Sequence, residues 1–325
     1  PRFCAPAGLT GKEERRRMTD IPVLRRAGNL VYTHSAAHPP KLRVRPGERF
    51  QVETELNTGA WLQSLADSPV GNADEFPYVN AATGPIYIEG AKPGDAIRVR
   101  IEAIDLADIG YTHLIPGKNP FPNWIRGTEW DDAYRVVRIA DGLVHWSDRL
   151  TIPTAPMIGV IGVAPEIEAI SNTDNGVHGG NLDIQEIGPG ATVTLPVFVD
   201  GALLHVGDVH AVQGDGELCC AGGIETRSTV TLSVDVVPKP AGMTWPRIET
   251  ESHLVAVGCA RPLDDAFRLA VQELVYWLAA DYGFTHQEAL LLLGQVAEAR
   301  ATQFVNPKFT YVCKIAKRYL PVSSS

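Results

Sequence analysis

One stretch of the chain, from Asn172 to Glu225, collects the side chains that can do chemistry: His178, Asn181, Asp183, Asp208, His210, Asp215, Glu217 and Glu225. Carboxylates and imidazoles that recur across neighbouring strands are the raw material of a metal centre or an acid/base pair. In GDVHAV the two-residue period of a strand puts Asp208 and His210 on one face, about 6 to 7 Å apart. Gly214-Asp215-Gly216 then reads as a turn, and Glu217 opens a further strand that can fold back beside His210. Upstream, HGGNLD reads as a loop whose glycines allow close backbone approach and whose polar side chains can converge. One histidine with two or three carboxylates suits Zn²⁺ with an open position, or a harder divalent ion. The same residues are also ordinary turn formers, because Asp and Asn beside Gly favour turns and an isolated strand histidine is commonly a hydrogen-bonded, half-buried residue. Spacing leaves both readings open.

Other chemistries lack their residues. There is no G-x-S-x-G elbow, and neither the phosphate-binding loop nor the dinucleotide fingerprint occurs. Cys219-Cys220 lies between apolar Leu218 and Ala221, a strand-like setting that raises thiol pKa values and predicts a buried packing role. What remains is attack by water, assisted by a metal or by carboxylates.

The elements that must position these groups are mostly strands. Glycine and proline punctuate short runs rich in Val, Ile and Thr, and apolar residues alternate with polar ones on both sides of Pro46-Gly47 and of Pro93-Gly94-Asp95. IGPGATVTLPVFV loosely repeats the unit of strand, Pro-Gly turn and strand, which predicts a sandwich or barrel. Asp200-Gly201 between two alternating runs predicts a two-residue hairpin. Residues 107 to 135 read as a long aromatic loop packed on Phe121 and Trp124. The C-terminal part changes character. Phe267, Ala270, Val271, Leu274, Val275 and Leu278 form a helical stripe that Gly283 stops, and Thr285 to Glu288 gives a capping box before a second helix, ALLLLGQVAEAR. TQFVNPKFTYVCKIAKRYL returns to strand. The division expected is a flexible segment 1–30, an N-terminal β domain 31–155, a β region 156–245 carrying the site, and an α+β part 246–325.

Composition narrows the partners. A net charge of −9 over 325 residues, with no basic run longer than the cluster at Arg15 to Arg17, argues against nucleic acid. No apolar stretch approaches the roughly 18 residues of a spanning helix, and no secretory leader pattern opens the chain, so no membrane partner and a cytoplasmic location are expected. Five cysteines without C-x-x-C spacing suit reduced, buried thiols.

Several strings carry a resemblance: GPIYIEGAKPGD, PMIGVIGVAP, HGGNLD, LPVFVDGALLHVGDVHAVQGDGE, IET and TQFVNPKFTYVCKIAK. GGN-x-D followed by GD-x-HA-x-QGDGE is long and specific, and over roughly residues 40 to 320 the chain resembles the acetamidase/formamidase family. The resemblance implies a mainly β fold, a jelly-roll-like sandwich or barrel body with a smaller C-terminal α+β part, in a homodimer or higher homo-oligomer. It also implies hydrolysis of a carbon–nitrogen bond in a small amide such as formamide or acetamide, with a divalent metal: zinc first, calcium or another divalent ion as alternatives. On the matching positions we expect Asp183, His210 and Asp208 to hold the metal and Asn181 and His178 to bind substrate. Glu217, Glu225 and Asp208 are the expected catalytic groups, and Asp215 belongs to the same motif. Family members carry E-T-x-D after the first strand pair, whereas VETELNTGAWLQ has Asn57 near the final position and Trp61 beyond it. A cyclic amide therefore stands as an alternative substrate. A lyase or isomerase acting on a small carboxylate, and a ligand-binding module without turnover, are the competing functions.

Overall fold

The structure, a computed structural model, describes residues 21–115 and 132–321. Phe121, Trp124, Cys4 and residues 1–20 of the expected flexible segment lie outside the described residues. Within that segment, Val23–Leu24 and Leu30–Val31 are strands.

The chain is mainly β, and two large sheets face each other. A nine-stranded sheet runs from Val23–Leu24 through Arg49–Thr54, Ser228–Pro238, Asp95–Leu106, Thr192–Pro196, Arg247–Glu249, His253–Ala260 and Phe309–Ala316 to Glu298–Gln303. In the second sheet Ile109–Leu114, Ala221–Glu225, Leu204–Gln213, Met157–Gly162 and Gly179–Asn181 are successive neighbours, and Ala82–Ile88 also pairs with Leu204–Gln213. Period-two alternation shows why these runs are strands. In Arg49–Thr54, Phe50, Val52 and Thr54 are buried while Arg49, Gln51 and Glu53 are not. Phe50, Val52, Val99, Ile101, Val193, Val230 and Leu232 of the first sheet meet Ile86, Ile158, Ile161, Val206 and Val209 of the second in one apolar core. Each such side chain contributes about 1.5–3 kcal/mol on burial.

The strands expected on both sides of Pro46-Gly47 and of Pro93-Gly94 form, but their pairings change, and no strand directly precedes Pro189-Gly190. Leu42–Val44 pairs with Ala82–Ile88, whereas Arg49–Thr54, beyond Pro46-Gly47, joins the other sheet. Ala82–Ile88 and Asp95–Leu106 likewise separate across Pro93-Gly94. The Asp200-Gly201 hairpin does not form, because Thr192–Pro196 and Leu204–Gln213 belong to opposite sheets. Buried Ala202 and Leu203 take φ of 58° and 57°, a left-handed pair that turns the chain across the core instead of back along one sheet. These turns are corners of the sandwich. The expected loop 107 to 135 contains the strand Ile109–Leu114 at its start and leads into Ala133–Ala140 at its end, because alternation in IGYTHL buries Tyr111 and His113.

The strands of the α+β part belong to the first sheet, and its helices pack on that sheet's outer face. On His253–Ala260 and Phe309–Ala316, Val255, Val257 and Val312 point into the main core, while Leu254, Ala256, Cys313 and Ile315 meet Ala270, Leu274 and Leu278 of the helix Leu263–Tyr282. Gly283 ends that helix at φ 72°. Phe267, expected in the apolar stripe, is 41% exposed and packs edge-on against Tyr311. The capping box is formed: Glu288 N donates to Thr285 Oγ1 at 3.2 Å, and Thr285 N donates to Glu288 Oε2 at 2.9 Å. The second helix stops at Val296, short of the expected Arg300, because Glu298–Gln303 pairs as an edge strand with Phe309–Ala316. No helix among the described residues is long and apolar enough to cross a membrane.

Candidate active site

Five side chains meet on the second sheet. His210 and Glu225 sit directly opposite each other on the antiparallel strands Leu204–Gln213 and Ala221–Glu225. That pairing sets His210 Nε2 at 3.1 Å from Glu225 Oε1, and Asp208 Oδ1 lies at 3.6 Å from the same nitrogen. Asp183 arrives from the segment after Gly179–Asn181, where Leu182 N and Asp183 N both donate to Gly159 O. Glu217 comes from the turn after the strand, and is not the start of a new strand as expected; a φ of 44° folds it back over the site. Two sets of ligand atoms each converge within 4.8 Å, one from Asp183, Asp208 and His210 and the other from His210, Glu217 and Glu225.

Space for this crowding comes from glycines. A Cβ on Gly159 would lie 2.6 Å from Asp183 Oδ1 and 2.7 Å from Asp208 Oδ2. A Cβ on Gly223 would lie 2.7 Å from His210 Nδ1. The backbone is also bent for the purpose, since Asp183, Asp208 and Glu217 take φ of 48°, 55° and 44°. Such left-handed residues cost about 1–3 kcal/mol each, and the cost gathers at one cluster of acids.

Side-chain amides aim the aspartates. Asn306 Nδ2 donates to Asp183 Oδ2 at 2.7 Å, and Asn80 Nδ2 donates to Asp208 Oδ2 at 3.3 Å. The Asn181 amide is assigned from the network: with its nitrogen toward the acids it donates to Asp208 Oδ2 at 3.0 Å and to Asp183 Oδ2 at 3.3 Å, while its oxygen accepts from Asn80 Nδ2 at 2.9 Å. Behind Glu225, Tyr111 donates to Asn57 Oδ1 at 2.5 Å and contacts Thr58, and Trp61 packs edge-on against Tyr111. The departure from the family pattern at Asn57 and Trp61 therefore falls on the wall beside Glu225.

Four nearly inaccessible carboxylates around one imidazole cannot all stay charged in this medium. Burial, then the Asp208 charge, raises Asp183 to about 6. Burial raises Glu225 to about 8, Asp208 adding to it, although His210 opposes the rise. Glu217 moves well above the usual carboxylate range through burial and then through Asp183. His210 is depressed by burial, but Glu225 and Asp208 outweigh that and hold it well above 6.5. Asp208 Oδ1, His210 Nε2, Glu217 Oε2 and Glu225 Oε2 are buried without a hydrogen-bond partner in the protein. An oxygen-rich set with one imidazole nitrogen and unspent lone pairs fits a divalent cation.

Some expected residues lie elsewhere. Asp215 is exposed and pairs with Arg300 at 2.6 Å. His178 belongs to a buried histidine cluster, its ring 5.1 Å from that of His34, which in turn lies 4.7 Å from His205. Leu218 is 52% exposed, and Cys219 and Cys220 are half-buried in a turn, in place of the expected buried strand. Cys259 and Cys313 are buried free thiols, and burial raises each to about 12. Sequence reasoning missed Gly159, Asn80, Gln213 and Asn306. Gly159 interrupts an apolar run, which is the ordinary mark of a close approach in a strand. Asn80 is brought in by tertiary folding and has no local signal.

The acetamidase of Mycolicibacterium smegmatis is 26% identical over 266 residues, covering 61% of this chain and 64% of its own length. The formamidase of Methylophilus methylotrophus is 27% identical over 261 residues, covering 63% of this chain and 64% of its own length. The chain thus spans a little under two thirds of these curated relatives. The crystal structure of acetamidase from Yersinia enterocolitica superimposes with a TM-score of 0.86 at 34% identity, over 93% of this chain and 94% of that one. The profile of the acetamidase/formamidase family matches residues 32–177 and 169–317, a span that takes in both sheets and every acid of the cluster, and the chain belongs to that family.

Proposed function

We propose that the protein hydrolyses a small linear amide to a carboxylate and ammonia at the Asp183, Asp208, His210, Glu217 and Glu225 cluster. The observation that carries the reading is the convergence of four buried carboxylates on one histidine, in a fold shared with an acetamidase. Asp183, Asp208 and His210 would hold a divalent ion, which when bound supplies carbonyl polarisation and acidified water. Zinc is our first choice, since imidazole with two carboxylates and an open position is a familiar zinc set, with calcium as the alternative.

The remaining chemistry belongs to the chain. An amide resists hydrolysis because its nitrogen is a poor leaving group, so a proton must reach that nitrogen as the bond breaks. Glu225, at about 8, exchanges a proton near neutrality and faces His210 Nε2. It can take a proton from attacking water and return it to nitrogen. Glu217, held well above the usual carboxylate range by burial and then by the Asp183 charge, is the alternative carrier. The Asn181 amide holds the two aspartates in register, and burial of the cluster keeps bulk water from screening it. A homodimer or larger homo-oligomer in the cytoplasm accompanies this reading as a family expectation, which sizing chromatography tests.

The experiment is ammonia release from formamide, acetamide and a lactam, combined with elemental analysis. His210→Ala should lose both metal and turnover, and Glu225→Gln should keep metal but lose turnover. Full activity in either variant, or in thoroughly chelated enzyme, refutes the proposal.

A further inference from the structure

His210 has two ring nitrogens, and only Nε2 faces the acids. The other, Nδ1, lies 2.7 Å from Gln213 Oε1. Gln213 Nε2 lies 3.2 Å from Asp183 O and 3.2 Å from Thr302 O. Both of those atoms are backbone carbonyls, which can only accept, so the Gln213 amide nitrogen must face them. Its oxygen is thereby forced toward His210. An oxygen that can only accept requires hydrogen on Nδ1.

We propose that Gln213 is a positioning residue that fixes hydrogen on His210 Nδ1 and so makes Nε2 the working nitrogen of the site. This rests on the reading of the acid cluster as the hydrolytic centre. The local fold explains how a residue three positions along the strand reaches back to the ring. Pairing slips between His210, opposite Glu225, and Gln213, opposite Gly223, and the irregularity brings the Gln213 side chain alongside the imidazole. Gly223 closes the other side: its missing Cβ would lie 2.7 Å from both Cγ and Nδ1 of His210. The ring rests against bare backbone on one side and a clamped amide on the other.

Gln213 also ties three parts of the site together. Its nitrogen grips the carbonyl of Asp183 itself and the strand Glu298–Gln303 at Thr302, while its oxygen holds His210. With Nδ1 committed to donation, a neutral imidazole presents the Nε2 lone pair to the acids and to any cation there. In the opposite tautomer Nε2–H would donate to Glu225 and the lone pair would be lost to the site. Outer partners of this kind typically change metal affinity or activity 10- to 100-fold.

Nitrogen-15 NMR of histidine-labelled, metal-free protein tests the assignment directly. Wild type is expected to keep hydrogen on His210 Nδ1 at every pH, alone once the ring is neutral. A neutral wild-type ring protonated only at Nε2 overturns the proposal, whatever the variants do. Gln213→Met, close in shape but without an acceptor, should move the neutral ring toward the Nε2–H form and lower kcat about 10- to 100-fold with KM little changed. If Gln213→Met leaves both tautomer and kcat unchanged, the role assigned to Gln213 is wrong. If the tautomer follows the prediction but no amide yields ammonia, the proposed function fails and the positioning role stands.

Discussion

The buried histidine cluster makes the stability of the protein depend on pH in a way that one substitution isolates. His205 is fully buried, and its pKa falls from 6.5 to about 3 through burial and then through His38, with His178 adding to the fall and a backbone contact at Leu203 opposing it. The folded value is depressed, so the unfolded chain binds the extra proton. Stability from neutral His205 is therefore present above pH 6.5 and lost as pH falls toward 3. At pH 5, 1.5 units below the unfolded value, the loss is about 2 kcal/mol at roughly 1.4 kcal/mol per unit. Falling pH also acts on Glu225, at about 8, and Asp183, at about 6, which take up protons in the folded state and push stability the other way. Comparison with His205→Gln cancels these terms, because both proteins carry the same acids. Urea unfolding at pH 7.5, 6 and 5 should show wild type losing about 2 kcal/mol more than the variant between the first and last conditions. Parallel pH profiles would refute the neutral, buried assignment of His205.

Gly159→Ala places a methyl group 2.6 Å from Asp183 Oδ1 and 2.8 Å from the Asp208 backbone oxygen, so the backbone must move. We expect a stability loss of about 1–3 kcal/mol by urea unfolding, together with lost ammonia release, and wild-type values in both would show that the acids approach less closely. Leu274→Ala, in the core between helix and sheet, should cost about 2–5 kcal/mol. Its activity per folded molecule should match wild type, because that core lies on the outer side of the first sheet.

Much of this architecture was legible because alternation and capping are local. The strand Arg49–Thr54, the helix Leu263–Tyr282 and the Thr285 capping box follow from residues adjacent in the chain. Pairing was not, because Asp200-Gly201 specifies a turn without specifying which sheet receives the next strand. The two left-handed residues that decide it, Ala202 and Leu203, are types that carry no turn signal. The acids Asp183, Asp208, Glu217 and Glu225 were readable from motif and parity, and they do meet around His210. The amides that aim them were harder to see. Asn80 and Asn306 lie 128 and 123 positions from the aspartates they serve, a separation that no periodicity reports.

The choice of amides over cations is the electrostatic key to the cluster. A lysine or arginine beside Asp183 or Asp208 would orient the carboxylate just as firmly, but it would also neutralise it and occupy the space. The basic side chains nearby in sequence are committed elsewhere: Arg227 to Glu55, Arg300 to Glu186 and Asp215, and Lys308 to Asp174. Among the described residues, the acids of the cluster have His210 as their one ion-pairing partner. Asn80, Asn181, Asn306 and Gln213 supply direction without charge. Fixing acids in place while withholding compensation keeps their repulsion, which adds to the larger effect of burial in raising Asp183, Glu217 and Glu225 and leaves the cluster ready to take a cation or to exchange protons.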